Sequence, residues 1–187
     1  MVKKKLRKRN VIYNLEKREI WLLGWIKQSS FLTLHKILEK LDSISHELIR
    51  FFIKSEGGER TASLNIHHAL HNTLSPVETI GFGNVASGGL LVLQGGDKRF
   101  ATPKCKLKLH RACVKLKTGR EYNAEGLNHV SRGLMQYDSD AIYILTSRGS
   151  DSKIIIDLFK KDAVLNAPKA LRFKIIDSIW RKPIRKS

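Results

Sequence analysis

The sequence predicts an α/β layer arrangement rather than separate all-β and all-α parts. Strand-like and helix-like stretches alternate along the chain, the helical ones carry one apolar stripe at three- and four-residue spacing, and the strand-like ones are short apolar runs bounded by glycine, proline or charge. At 187 residues the chain suits one domain, long enough to bury roughly 70% of its unfolded surface and build a core without staples.

Residues 18–26 read as the first strand, because Ile20 to Ile26 is an apolar run between Glu19 and Lys27 and is far too short to span a bilayer. Leu34, Ile37, Leu38 and Leu41 mark a helix over about 30–42. Leu48 to Lys54 is a second strand, broken by Ser55-Glu56-Gly57-Gly58. Ile66, Ala69, Leu70 and Leu74 then give a second helix, stopped at Ser75-Pro76. Val77 to Phe82 is a third strand. After Gly83, the run Ala86 to Leu93 reads as a short apolar helix ended by Gly95-Gly96, with Ser87 in its first turn. Lys104 to His110 alternates, with Cys105, Leu107 and Leu109 on one face and Lys104, Lys106, Lys108 and His110 on the other. Leu127, Val130, Leu134, Ile142 and Leu145 predict a long helix closing near Gly149, followed by a shorter one over Ile154 to Lys161. Asn166-Ala167-Pro168 is a helix start, and Ile175 to Trp180 the last strand. The domain therefore spans 18–180, between a basic N-terminal segment (1–17) and a basic tail (181–187), both expected to be mobile.

Composition narrows the function. Apolar residues at 42% and charged residues at 28% exclude a disordered chain, while the net charge of +18 attracts anionic partners of any kind. Cys105 and Cys113 form no CxxC, so a reducing, cytoplasmic setting is expected, with no disulfide framework or zinc site. No apolar h-region follows the basic residues Lys3 to Arg9, which argues against a secretory signal.

Gly81-Phe82-Gly83-Asn84-Val85-Ala86 fits the spacing of a dinucleotide fingerprint, but the acid expected about 20 residues later is missing. No phosphate-binding P-loop occurs either. His67 and His71 lie four apart on the second helix, but no third ligand is evident and packed or surface histidines account for them. Ser87 is more informative. A strand leading through a glycine-containing turn into a helix start exposes a hydroxyl beside free backbone N–H groups, and the positive end of the helix favours an oxyanion. Gly58 ends another strand and allows close main-chain approach to a substrate carbonyl. His110, on the polar face of its strand, can take the hydroxyl proton. Asp97, Asp138, Asp140, Asp151, Asp157, Asp162 and Asp177 all follow the serine, and local pattern does not choose among them.

Five separated blocks carry a family likeness: Ser55-Glu56-Gly57-Gly58, Gly83 to Gly88, Lys98-Arg99-Phe100, Leu109-His110, and Asp162 to Ala170 through Ile176-Asp177. In this order, and over about Arg18 to Trp180, they resemble the ClpP family of Clp protease proteolytic subunits. The resemblance implies the ClpP/crotonase spiral of ββα units, with a protruding handle helix near 126–148. It implies Ser87 as nucleophile, His110 as general base, Asp162 as orienting acid, and Gly58 and Gly88 as main-chain oxyanion donors. It also implies a serine endopeptidase that cuts unfolded polypeptide inside heptameric rings, stacked or single, with no cofactor of its own and ATP used by a separate AAA+ unfoldase. The order Ser, His, Asp and the absence of G-x-S-x-G disfavour an ordinary esterase.

The chain departs from the family in places. Glu56 replaces a proline, Gly88 a methionine, and Arg111-Ala112 a Gln-Pro pair. Cys113 to Tyr122 replaces a glycine-rich stretch beside substrate, and Lys160-Lys161 stands where ring-to-ring ion pairs form. The alternative reading is therefore a structural ring subunit that assembles with an active paralogue. No acid occurs between Lys98 and Arg120, so a positive band flanks His110 and could bias cleavage toward acidic peptides. A nucleic-acid-binding role is disfavoured, because the basic ends lack interleaved aromatics.

Overall fold

The computed structural model describes residues 10–184 apart from 115, 117, 118 and 120. The described residues form eight strands and six helices: β1 Val11–Asn14, β2 Glu19–Leu23, α1 Gln28–Ile44, β3 Ile49–Ser55, α2 Arg60–His71, β4 Val77–Ala86, α3 Gly88–Leu93, β5 Lys98–Ala101, β6 Lys106–Lys108, α4 Ala124–Ser147, α5 Ser152–Lys160, β7 Val164–Asn166, α6 Ala167–Arg172 and β8 Ser178–Ile179. The strands form one sheet, ordered β1-β2-β3-β4-β5-β8, with β6 and β7 branching from β4. β2-α1-β3, β3-α2-β4 and β4-α3-β5 are successive parallel crossovers, so the α/β expectation holds.

β4 is the hinge of the architecture. Its first half pairs with β5, from Glu78↔Lys98 to Gly81↔Ala101. Its second half pairs with β6, from Asn84↔Lys106 to Ala86↔Lys108. β7 then adds antiparallel to β6, with Lys106↔Asn166, Leu107↔Leu165 and Lys108↔Val164 opposite one another.

The sheet buries both faces. On the helix side, Ile20, Leu22, Phe51, Ile53, Val85 and Leu107 pack against Leu34, Leu41, Ile66, Leu90 and Leu145. On the other side Trp21, Phe52, Ile80 and Trp180 form a separate aromatic cluster, with the Trp21 and Phe52 rings stacked at 5.2 Å. A polar network joins the far ends of these layers. Buried Arg99 donates to both carboxylate oxygens of Asp177 and to Gln94 Oε1, while Gln94 donates to the Ile175 carbonyl.

Several sequence expectations need correction. Residues 11–14, read as part of a mobile basic segment, are a strand paired with β2, because Val11 contributes to the core; residues 1–9 lie outside the described residues. The Ile20–Ile26 run is not one buried strand, since β2 ends at Leu23, Gly24 turns the chain at φ +80° and Trp25 is exposed. The tail is packed at least to Ile184, which lies against the aromatic cluster. Lys98–Ala101 has no apolar alternation and is nonetheless a strand, made possible by the Asp177 partner of its buried arginine.

Candidate active site

Ser87 sits where β4 passes into α3, with φ +53° and ψ −128°. L-residues with a side chain rarely adopt this conformation, and it persists only where the surroundings enforce it. The enforcement is visible. Ser87 N–H donates to the Lys108 carbonyl at 3.1 Å, holding the end of β4 to β6, and Leu90 N–H turns back to the Ser87 carbonyl at 2.8 Å. The helix begins at Gly88, two residues later than the Ala86 start expected from the apolar run, and Ala86 closes the strand instead.

Gly57 and Gly58 line the approach. A Cβ on Gly57 would lie 2.7 Å from the Ser87 Cβ, and one on Gly58 would lie 2.1 Å from the Ile26 carbonyl oxygen, so glycine is required at both. Gly57 is itself held by Ser55, whose Oγ accepts from Gly57 N–H and donates to the Gly24 carbonyl. Glu56 accepts from the Asn84 side chain at 2.9 Å and so braces this loop against β4. Among the described residues, neither the Gly58 nor the Gly88 backbone N–H has an acceptor. Gly88 has no room for a side chain, since a Cβ there would meet Ser63 Oγ at 2.1 Å.

The strand ends bring the other two residues alongside. The β6–β7 ladder runs through Lys108↔Val164, and Leu109 N–H continues it to the Ala163 carbonyl at 2.9 Å. The ladder ends there: His110 lies two residues beyond β6, and Asp162, in a left-handed turn at φ +47°, lies two residues before β7. Ser87, His110 and Asp162 thus stand at neighbouring ends of β4, β6 and β7 in that order. Ser87 and His110 border one small cavity of about 10 Å³, floored by Leu90, Leu91, Tyr137, Ala141 and Phe159. Burial pushes the Tyr137 phenol up to about 12, so it is neutral at physiological pH.

The hydrogen bonds in this arrangement are specific. His110 Nδ1 contacts the Arg111 carbonyl at 2.8 Å. A carbonyl only accepts, so the proton lies on Nδ1 and Nε2 is left as a base. The segment that follows is fastened to α4 by Ala112 N–H donating to Asp138 Oδ1 at 2.7 Å. Asp162 has φ +47°, is exposed, and its carboxylate has no partner among the described residues.

The remaining aspartates after the serine are otherwise engaged. Asp97 accepts from Val77 N–H, Asp138 from Ala112 N–H, and Asp140 from the Gln136 amide. Asp151 caps α5, Asp157 pairs with Lys161, and Asp177 with Arg99. Burial raises the Asp177 carboxyl, but its hydrogen bonds from Arg99 outweigh this and hold it below the usual carboxylate range. Tyr137, Phe159 and Ser63 escaped the sequence reading, because their role depends on elements far apart in the chain. His67 lies away from this cavity. It faces its own cleft, and burial pushes its imidazole down to about 4. Among the described residues no group of three or more histidine, cysteine, aspartate or glutamate side chains is placed to hold a metal ion, and no helix is long and apolar enough to cross a membrane.

Comparison with known proteins agrees with this architecture. The chain is 26% identical over 171 residues to the ATP-dependent Clp protease proteolytic subunit 2 of Pseudomonas aeruginosa, covering 89% of this chain and 83% of that protein. It is 28% identical over 173 residues to the ATP-dependent Clp protease proteolytic subunit of Carsonella ruddii, covering 90% and 86%. The fold matches a ClpP1 mutant of Listeria monocytogenes with a TM-score of 0.78 at 22% identity, over 90% of this chain and 94% of that one. The family model for Clp protease matches residues 3–183, and the chain belongs to the Clp protease family.

Proposed function

We propose that this chain is a serine endopeptidase acting as the proteolytic subunit of a Clp-type, ATP-dependent protease. Ser87 is the nucleophile, His110 the general base, Asp162 the acid that orients the imidazole, and the Gly58 and Gly88 N–H groups the oxyanion donors. The observation that carries the reading is the convergence of three strand ends, with a strained serine beside an imidazole whose Nε2 is free to accept a proton.

In this mechanism His110 Nε2 takes the Ser87 hydroxyl proton as Oγ attacks the peptide carbonyl carbon. The carbonyl oxygen becomes an anion held by the Gly58 and Gly88 N–H groups. His110 passes the proton to the departing amine, which leaves Ser87 esterified. Water, deprotonated by His110, then releases the acid and regenerates the serine. Asp162 must first replace the Arg111 carbonyl as the partner of His110 Nδ1. Ring assembly with further copies, and docking of an AAA+ unfoldase that spends the ATP, are carried over from the family and supply the setting for that step.

Ser87→Ala is expected to leave assembly unchanged while abolishing peptide cleavage and labelling by a serine-reactive phosphonate. Labelling that persists in the variant rejects the assignment.

A second reading, a structural ring subunit paired with an active paralogue, is favoured by the Arg111 contact of His110 and the unpartnered Asp162 carboxylate. The purified chain decides between them. Turnover by a homogeneous ring of this chain excludes a purely structural role.

A further inference from the structure

We propose that this active site selects acidic polypeptide, with Lys108, Lys106 and Lys104 reading carboxylate side chains at alternate positions of an extended substrate. The proposal rests on the hydrolase reading of Ser87 and His110. The alternation that buries Cys105, Leu107 and Leu109 leaves the three lysines exposed, Lys106 and Lys108 on β6 and Lys104 in the turn that leads into it. Same-face residues of a strand repeat about every 6.6 Å, which is also the repeat of alternate side chains in an extended ligand. Lys108 borders the cavity that holds Ser87 and His110, so the positive row starts at a residue of the site.

Three further features support this use. Both edges of β6 are taken, by β4 and β7, so a substrate cannot join it as an added strand and meets only its side-chain face. None of the three lysines has a carboxylate partner among the described residues. Lys54 extends the positive surface across the sheet, its side chain lying alongside Gly83, while nearby Glu56 is occupied by the Asn84 amide. An acidic ligand relieves the mutual repulsion of these ammonium groups, and a neutral one does not.

The test separates selection from catalysis. Ser87→Ala protein is titrated with labelled extended peptides carrying glutamate at alternate positions, the same glutamates in one block, or glutamine throughout, and with a single-stranded RNA of equal charge. The alternating peptide is expected to bind most tightly, by up to about fivefold per lysine engaged at low salt, and to lose that advantage between about 50 and 300 mM salt. Lys106→Glu/Lys108→Glu is expected to remove the preference while binding of the glutamine peptide stays unchanged. Equal binding of the glutamate and glutamine peptides, a preference that survives the double substitution, or RNA binding as tight as the alternating peptide overturns the proposal. Phosphonate labelling of Ser87 in the unsubstituted chain reports separately on the hydrolase reading: a labelled serine with no acidic preference sinks the selection alone.

Discussion

His110 Nδ1 lies 2.8 Å from the carbonyl oxygen of Arg111, its own neighbour in the chain. That carbonyl fixes the tautomer a base needs, but it is neutral and cannot offset the positive charge the imidazole gains in the reaction. Asp162, two residues before β7, is the acid assigned to His110 in the proposed mechanism; it would supply a full charge and has no competing partner among the described residues. In the proposed mechanism, exchanging one acceptor for the other converts a resting site into a working one.

Asp162→Asn should therefore lower kcat by about 10³- to 10⁴-fold, the usual consequence of losing an orienting carboxylate. Its effect on stability should be negligible, since asparagine tolerates the positive φ at this position. Steady-state kinetics with urea unfolding in parallel checks both halves. Undiminished turnover would show that the Arg111 carbonyl suffices.

Asp177→Asn should do the reverse. It leaves the Arg99 guanidinium, whose side chain is 3% exposed, without its counter-charge, while Asp177 itself is 40% exposed and its loss is partly screened. A cost of about 2 kcal/mol in unfolding free energy, with no change in phosphonate reactivity of the folded fraction, is expected.

The Ser87 backbone stores strain that glycine would not feel. Ser87→Gly should be more stable than Ser87→Ala by about 1 kcal/mol, because alanine keeps a Cβ at φ +53°. Both variants lack the hydroxyl, so the comparison isolates the backbone effect in a denaturant titration. Equal midpoints would mean the junction carries no such strain.

Gly88 and Ser63 form a complementary pair across α3 and α2. Gly88→Ala places a methyl against Ser63 and should cost about 1–3 kcal/mol. Ser63→Gly in the same chain should recover most of that, and a double-mutant cycle reads the coupling directly. Additive effects would place the clash elsewhere.

His67 gives stability a pH dependence. Burial lowers its folded value to about 4 from the ordinary 6.5, and its Nδ1 lies 3.0 Å from the Leu91 carbonyl. Between those values the unfolded chain holds a proton that the folded chain refuses. The contribution is therefore complete above pH 6.5 and is lost as the pH falls to 4, by about 3 kcal/mol in total. His67→Asn, which can still donate to Leu91, should flatten that slope in urea midpoints measured across the window.

Periodicity alone makes α1, α2, α4 and the β6 alternation legible, because one buried stripe or face leaves a pattern in adjacent residues. It also marks Ser87, since glycines around a hydroxyl at a strand-to-helix junction are a local signal. The short strand β5 and the pairing of β1 leave no such trace, because their burial depends on partners such as Asp177 that lie far along the chain. The choice of acid behaves in the same way. Seven aspartates are alike as letters, and only the fold commits six of them to other bonds and leaves Asp162 unengaged just before β7. Local residues determine which elements form and what chemistry they could offer. Which side chains then meet is decided by sheet register, a relation between segments that no window along the sequence contains.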